Sequence, residues 1–123
     1  MDFSIRSSRP IWQQLTEQLR RRIVTGKYPA GSRFPTVREL AAEAGVNPNT
    51  MQRAMSQLEA DGLVITNRTL GRTVTDKSEV LEEIRLRLAV ERTEEYFTDM
   101  DALGYDRPAA VELVRREGGR IDE

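Results

Sequence analysis

Residues 36–62 read TVRELAAEAGVNPNTMQRAMSQLEADG, and this stretch predicts two short amphipathic helices joined by a tight turn. Each helix has one apolar stripe at the i, i+3, i+4, i+7 spacing, which places its members on one helical face. The first stripe consists of Val37, Leu40, Ala41 and Ala44, and the second of Met51, Ala54, Met55 and Leu58. We expect both stripes to be buried.

The link between the two helices carries the residue types that a sharp bend requires. Gly45 stands where a helix ends with positive φ, and Asn47 followed by Pro48 is the N-cap and first-turn pattern of a new helix. Upstream, Thr36 with Glu39 three residues later forms a capping-box pattern. The stretch therefore predicts a helix-turn-helix.

The face of the second helix opposite its apolar stripe carries side chains suited to reading DNA bases. They are Asn49, Gln52, Arg53 and Ser56, with Thr50 flanking them at the helix N-terminus. Amide side chains pair bidentately with adenine, arginine pairs with guanine, and threonine meets the thymine methyl group. A solvated polar helix face has the same composition, so both interpretations are open for this helix taken alone.

A further helix is predicted upstream, from Pro10 to about Thr25, and it ends at Gly26. The residues that this helix turns toward the core are Ile11, Leu15, Leu19 and Ile23. Three successive arginines at 20–22 occupy more than one face, so at least one can point toward a phosphate backbone. A solvated run of charges is the alternative.

A β-hairpin is predicted after the second helix. One strand begins at Leu63, a second runs from about Arg72 to Thr75, and residues 66–71 form the loop. Arg68 in the loop and Arg72 beside it give the hairpin a basic tip. Next to a helix-turn-helix, such a hairpin is the wing of a winged-helix domain, which reaches toward the DNA backbone or minor groove. A plain structural hairpin with surface arginines is the alternative.

The remainder of the chain predicts two more helices, one over residues 78–103 and one from Pro108 to Arg116 with Asp106 as its N-cap. One apolar stripe is expected along the long helix, interrupted at Arg92. Its members are Leu81, Ile84, Leu88, Tyr96, Met100 and Leu103. A piece of ~40 residues makes too little core of its own, so we expect this stripe to be covered by a second copy in a homodimer. The terminal GGRIDE is expected to be frayed.

The net charge of −1 conceals an asymmetry along the chain. Residues 1–75 hold 11 basic against 6 acidic side chains, whereas residues 76–123 hold 8 against 14. A basic N-terminal part is expected for phosphate contact, and DNA would repel the acidic C-terminal part.

Composition also limits the chemistry. The chain has no cysteine and no histidine, which removes thiolate and imidazole sites for metals and for catalysis. No other catalytic constellation converges, so we expect neither an enzyme nor a cofactor or metal, and no motif indicates an effector. No apolar run approaches the ~20 residues of a membrane span, and MDFSIRSSRP lacks the apolar core of a signal peptide. A cytoplasmic protein is expected.

Three segments in order resemble the GntR family of bacterial transcription regulators over residues 10–75. They are PAGSRFPTVRELA, AGVNPNTMQRAMSQLEADGLV and the hairpin that contains Gly71. The resemblance implies a winged helix-turn-helix that binds double-stranded DNA. It implies operator contact by Arg38, a recognition helix opened by Asn47, Pro48, Asn49, Thr50 and Gln52, and wing positions at Arg68, Gly71 and Arg72. Thr69 and Leu70 replace a common Gly-Lys pair and Thr73 replaces a common aromatic residue, so a shallower insertion of the wing is expected.

The 48 residues after residue 75 are too few for the effector domain that most members carry. A short helical tail resembles the YtrA subfamily, in which the tail serves dimerisation. We therefore predict a mostly α protein with a small β-hairpin: a winged helix-turn-helix domain at 1–75 and a two-helix dimerisation region at 76–123. As a homodimer on a two-fold operator it would act as a repressor that occludes a promoter. The alternative is a winged-helix protein-interaction or architectural module without sequence-specific DNA binding.

Overall fold

The computed structural model describes residues 3–119, which form five helices and a two-stranded antiparallel sheet. The elements in chain order are α1 (Ile11–Val24), α2 (Val37–Ala44), α3 (Pro48–Ala60), β1 (Val64–Asn67), β2 (Gly71–Val74), α4 (Ser78–Ala102) and α5 (Arg107–Gly118). The predicted fold class, a winged helix-turn-helix followed by a helical tail, is confirmed. The last four residues of the predicted frayed end, 120–123, lie outside the described part.

The chain packs as two compact units, Met1–Arg85 and Leu86–Glu123. We call their described residues, 3–85 and 86–119, the head unit and the tail unit. The sequence placed a division after residue 75, but the first two turns of α4 belong to the head unit. Within residues 3–119, no helix is long and apolar enough to span a membrane.

The core of the head unit lies where α3 packs against α1, α2 and β1. Its fully buried apolar side chains include Leu15, Leu19, Leu40, Met51, Met55, Leu58 and Leu63. Each such side chain contributes roughly 1.5–3 kcal/mol of transfer free energy, so this core holds α3 firmly. Ile11, which was predicted to face the core, is instead exposed because it lies in the first turn of α1.

The predicted bend between α2 and α3 is present in detail. The side-chain oxygen of Thr36 accepts from the Glu39 backbone N–H at 3.1 Å, and that of Asn47 accepts from the Asn49 N–H at 2.7 Å. Gly45 ends α2 with φ of +70°, in the left-handed region that favours glycine. These caps satisfy backbone donors that a helix start leaves unpaired, and they fix the direction in which α3 leaves the turn.

The hairpin is tighter than predicted, because only residues 68–70 form its turn instead of 66–71. The Asn67 side-chain oxygen accepts from the backbone N–H groups of Thr69 and Leu70, which locks the turn. Gly71 has φ of +76°, as three-residue hairpin loops require. The Phe34 N–H donates to the Arg72 carbonyl at 2.7 Å, so the segment before α2 lines the free edge of β2.

The tail unit is a helical pair formed by the C-terminal part of α4 and by α5. Asp106 caps α5 by accepting from the Ala109 N–H at 3.0 Å. The Tyr96 hydroxyl donates to the Ala110 carbonyl at 2.8 Å, and Ala110 is buried together with Met100. Polar contacts and two buried side chains therefore join the two helices.

The single apolar stripe predicted along α4 does not lie on one face. Four steps of four residues lead from Ile84 to Met100, and each step drifts by about 40° on a helix, so the total drift is about 160°. Ile84 is buried in the head unit and Met100 in the tail unit. Of the other predicted stripe members, Leu103 is 71% exposed, and Leu81, Leu88 and Tyr96 are half-buried. The four-residue spacing therefore suggests one continuous stripe, although its first and last members lie on different faces of α4.

Candidate nucleic-acid interface

Helix α3, the predicted recognition helix, has one anchored face and one exposed face. Met51 and Met55 are completely buried, whereas Asn49, Gln52 and Arg53 are exposed. The Gln52 amide nitrogen lies 3.4 Å from the Ser56 hydroxyl, a long contact that a base edge can displace at little cost. The predicted polar face therefore points to solvent on a helix whose position the core determines.

The N-terminus of α3 opens this face. Asn47 is the N-cap, Pro48 is the first helical residue, and Thr50, half-buried, lies in the first turn. Backbone N–H groups and the helix dipole favour an anion at such an end. The first turn is therefore suited to a DNA phosphate, and the next turn to base edges.

Arg53 has a neighbour that the sequence reasoning did not assign. Its guanidinium lies 4.2 Å from the centroid of the Trp12 ring on α1. A cation over an indole gains ~0.5–1 kcal/mol at an exposed site, so Trp12 restricts the directions that Arg53 samples. Only the proximity of α1 to α3 brings these two residues together, and no local pattern encodes it.

Arg38 and Arg68 are also exposed. Arg38 is the second residue of α2, and Arg68 is the first residue of the hairpin turn. Neither makes an ion pair with another residue of the described chain. Both are therefore available for phosphate.

Arg72, which was predicted as a basic wing position, has an acidic partner. Its Nε donates to Glu59 Oε1 at 2.6 Å, and both side chains are partly buried. Arg20 is paired similarly, with Asp61 at 2.8 Å. These two guanidinium groups join elements of the head unit to the C-terminal end of α3.

Arg22 has a structural role as well. Its side chain is 1% exposed, and it contacts Glu43 at 2.8 Å and the Tyr28 hydroxyl at 2.7 Å. Burial alone would lower the pKa of Arg22, but the hydrogen bonds to Glu43 and Tyr28 outweigh it and the pKa is raised. Of the run at 20–22, Arg21 is the exposed member, so it is the one available to a phosphate backbone.

The head unit thus has two classes of arginine. The exposed members that form no ion pair with another residue in 3–119 are Arg6, Arg21, Arg33, Arg38, Arg53 and Arg68. They account for most of the positive balance of residues 1–75, because Arg9, Arg20, Arg22 and Arg72 are matched by carboxylates. Nowhere in the described chain do three or more acidic side chains gather in a way that could hold a metal ion.

Comparisons with known proteins agree with this geometry. The family model for "Bacterial regulatory proteins, gntR family" matches residues 12–74, from α1 through β2. The HTH-type transcriptional regulator YhcF of Bacillus subtilis is 36% identical over 97% of this chain and 100% of its own length. The HTH-type transcriptional repressor YtrA of the same bacterium is 30% identical over 89% of this chain and 85% of its own.

A solved structure, a GntR family transcriptional regulator from Listeria monocytogenes, has a TM-score of 0.80 and 33% identity. It covers 91% of this chain and 98% of its own. The relatives are transcriptional regulators rather than enzymes, and the similarity to YhcF, over 97% of this chain, includes the helical tail. Because the matched residues build α1, the helix-turn-helix and the wing, the chain belongs to the GntR family of DNA-binding bacterial regulatory proteins.

Proposed function

We propose that this protein is a sequence-specific repressor that occludes a promoter as a homodimer. The observation that carries the proposal is the two-sided nature of α3. Met51 and Met55 anchor one face, while Asn49 and Gln52 present hydrogen-bonding amides to solvent on the other. Rigid placement of amide groups on a helix is what base-specific reading in the major groove requires. Because its proposed target is bacterial DNA, the proposal also places the protein in the cytoplasm.

The proposed division of labour follows from exposure and charge. Arg38, Arg53 and Arg68 neutralise phosphates and fix the position of the protein on the duplex. Asn49 and Gln52 select the base pair. Gly71 provides the positive φ that turns the wing tip back into β2.

The homodimer is supported by the apolar surface of the tail unit. Its exposed apolar side chains are Leu86, Val90, Leu103, Tyr105, Val111 and Val114. An apolar set of this kind on a small acidic unit marks an interface, and a second copy forms the symmetric contact most common in soluble oligomers. A C2 dimer would read two half-sites about one helical turn apart. The repressing sign is supported by the printed name of YtrA.

Selection of bound sequences from a random DNA pool with the full chain tests the proposal. We expect enrichment of a two-fold sequence. The matched control is Asn49→Ala with Gln52→Ala, which keeps the fold and charge but removes the amides and should abolish the enrichment. Binding without enrichment of any sequence would favour the architectural alternative.

Salt dependence provides a second measurement. For ~5 phosphates neutralised per protomer, log K should fall against log salt with a slope of about −4 to −5. Arg68→Ala should reduce that slope by about one unit. Arg115→Ala, which removes an exposed arginine of the tail unit, should leave the slope unchanged. A flat response in the unaltered protein would remove the phosphate-contact part of the proposal.

A further inference from the structure

We propose that Arg72 is a positioning residue, which fastens the wing to the C-terminal end of the recognition helix so that Arg68 makes the wing's phosphate contact. This inference rests on the proposed reading of DNA by α3 and the wing. Its first support is the 2.6 Å contact between Arg72 Nε and Glu59 Oε1. The two side chains are partly buried, which makes a charge-assisted contact stronger than one in open solvent.

Arg72 is held at both its backbone and its side chain. Its carbonyl accepts from the Phe34 N–H at 2.7 Å, and its guanidinium reaches α3. Glu59 is the last residue but one of α3, where the negative end of the helix dipole disfavours a carboxylate. A cationic partner offsets that disadvantage, so the pairing with Arg72 explains how this helix end tolerates Glu59.

The neighbouring acidic residue behaves in the same way. Asp61, just after α3, pairs with Arg20 of α1 at 2.8 Å. Two ion pairs therefore fasten one end of the recognition helix, one to α1 and the other to the wing. For Arg72 to move to a phosphate, it would have to leave Glu59 as an unpaired carboxylate close to the DNA.

Arg68 has the opposite properties. It is exposed in the turn and makes no ion pair within residues 3–119. The turn itself is stiff, because the Asn67 side chain accepts from the Thr69 and Leu70 N–H groups. The direction of Arg68 therefore follows the direction of the two strands, and the contact between Arg72 and Glu59 determines how those strands sit on α3.

The first test needs no DNA. In the full chain, nitrogen-15 NMR should show a slowly exchanging Nε–H signal for Arg72, and Glu59→Gln, which replaces the carboxylate by a weaker neutral acceptor, should reduce that protection severalfold. Exchange of the Phe34 amide, which donates to Arg72, should accelerate severalfold in Glu59→Gln. Arg68→Ala, a matched change in the same hairpin, should alter neither signal. Unchanged exchange in Glu59→Gln would overturn the fastening role whether or not the protein binds DNA.

The second test compares affinities for a labelled 30-base-pair duplex of mixed sequence. Glu59→Gln is measured in the unaltered protein and in an Arg72→Ala background, where it reports only the loss of a negative charge. If Arg72 positions the wing, the ratio of variant to parent DNA affinity for Glu59→Gln should be about three- to tenfold lower in the unaltered protein than in the Arg72→Ala background. If Arg72 instead binds phosphate, Glu59→Gln frees Arg72 from its ion pair. The affinity ratio for Glu59→Gln should then be higher in the unaltered protein than in the Arg72→Ala background, which would overturn the proposal.

A third test measures the salt slope, the slope of log K against log salt, for the double variant. Arg68→Ala with Arg72→Ala should reduce the slope by about one unit in total, because both changes remove the same phosphate contact. A reduction of about two units would show two separate phosphate contacts and would overturn the proposal. Failure of the unaltered protein to bind the duplex would count against the proposed function, and the exchange measurements would still decide the role of Arg72.

Discussion

The head and tail units differ in where they place their apolar side chains. Leu58 in the head unit is completely buried, whereas Leu86 in the tail unit is 66% exposed. The head unit encloses most of its large apolar side chains and presents amides and arginines. The tail unit encloses Met100 and Ala110 and leaves most of its large apolar side chains exposed. The head unit therefore carries its own core and is free to use its surface for DNA, while the exposed apolar side chains of the tail unit are the surface on which the proposed homodimer rests.

The ion pairs of the two units differ in the same way. In the head unit, Arg20 with Asp61 and Arg72 with Glu59 join separate elements. In the tail unit, Arg107 with Glu94 also joins two helices, but both side chains are more than half exposed, and Arg92 with Glu95 is an exposed pair one turn apart on a single helix. Such exposed pairs contribute only ~0.2–0.5 kcal/mol each. Ion pairs therefore stabilise the packing of the head unit more than that of the tail unit.

The largest expected effect is on stability, from one substitution made in both units. Leu58→Ala should reduce the free energy of unfolding by ~3–5 kcal/mol, because it opens a cavity in the head core. Leu86→Ala is the matched control and should cost less than ~1 kcal/mol at a protein concentration where the chain is monomeric. Urea unfolding followed by circular dichroism measures both. Equal losses would show that the tail side chain is enclosed within the single chain.

The next effect is on assembly. Leu86→Asp should weaken the homodimer by at least ~100-fold, because a carboxylate would replace an apolar side chain at a desolvated contact. Light scattering across a dilution series measures the molar mass. Leu70→Gly, which alters an exposed leucine of the head unit, should leave the dimer intact. A monomer in the unaltered protein at micromolar concentration would contradict the proposed assembly.

The sequence predicts the head unit well because its signals are local. Gly45 at positive φ, Asn47 as N-cap and the four-residue spacing of Met51 and Met55 each determine structure within a few residues. The wing turn was placed correctly at Arg68, although the loop is shorter than predicted because Asn67 tightens it.

What the sequence did not predict depends on contacts between distant residues or on accumulated helix geometry. The partner of Arg72 is 13 residues away on another element, and no spacing rule relates it to Glu59. Along α4, each four-residue step from Ile84 looks locally correct, but the drift adds up until Met100 faces elsewhere. The apolar residues left exposed, Leu86 and Val90, lay off the predicted stripe.

A third prediction separates function from stability within the head unit. Gln52→Ala should cost roughly 1–3 kcal/mol of binding to the selected operator and should relax preference at one base pair. The melting temperature should hardly change, because Gln52 is exposed on the face away from Met51 and Met55. Fluorescence polarisation on single-base operator variants measures the preference. Unfolding of the variant would show that the face assignment of α3 is wrong.

The smallest expected effect concerns Leu70, the exposed leucine at the wing tip. Its side chain is 58% exposed, and its backbone N–H, which donates to Asn67, survives replacement by glycine. A leucine wedge between base pairs requires kinked DNA at a cost of a few kcal/mol per step, and a three-residue turn offers few neighbouring contacts to offset it. Leu70→Gly should therefore leave operator affinity unchanged or slightly improved, since removal of the side chain lets the backbone approach the groove. Titration of the operator by polarisation measures this, with Arg68→Ala as the variant that weakens binding. A large loss on Leu70→Gly would mean that the head unit uses its exposed leucine as a contact, as is proposed for Leu86 of the tail unit.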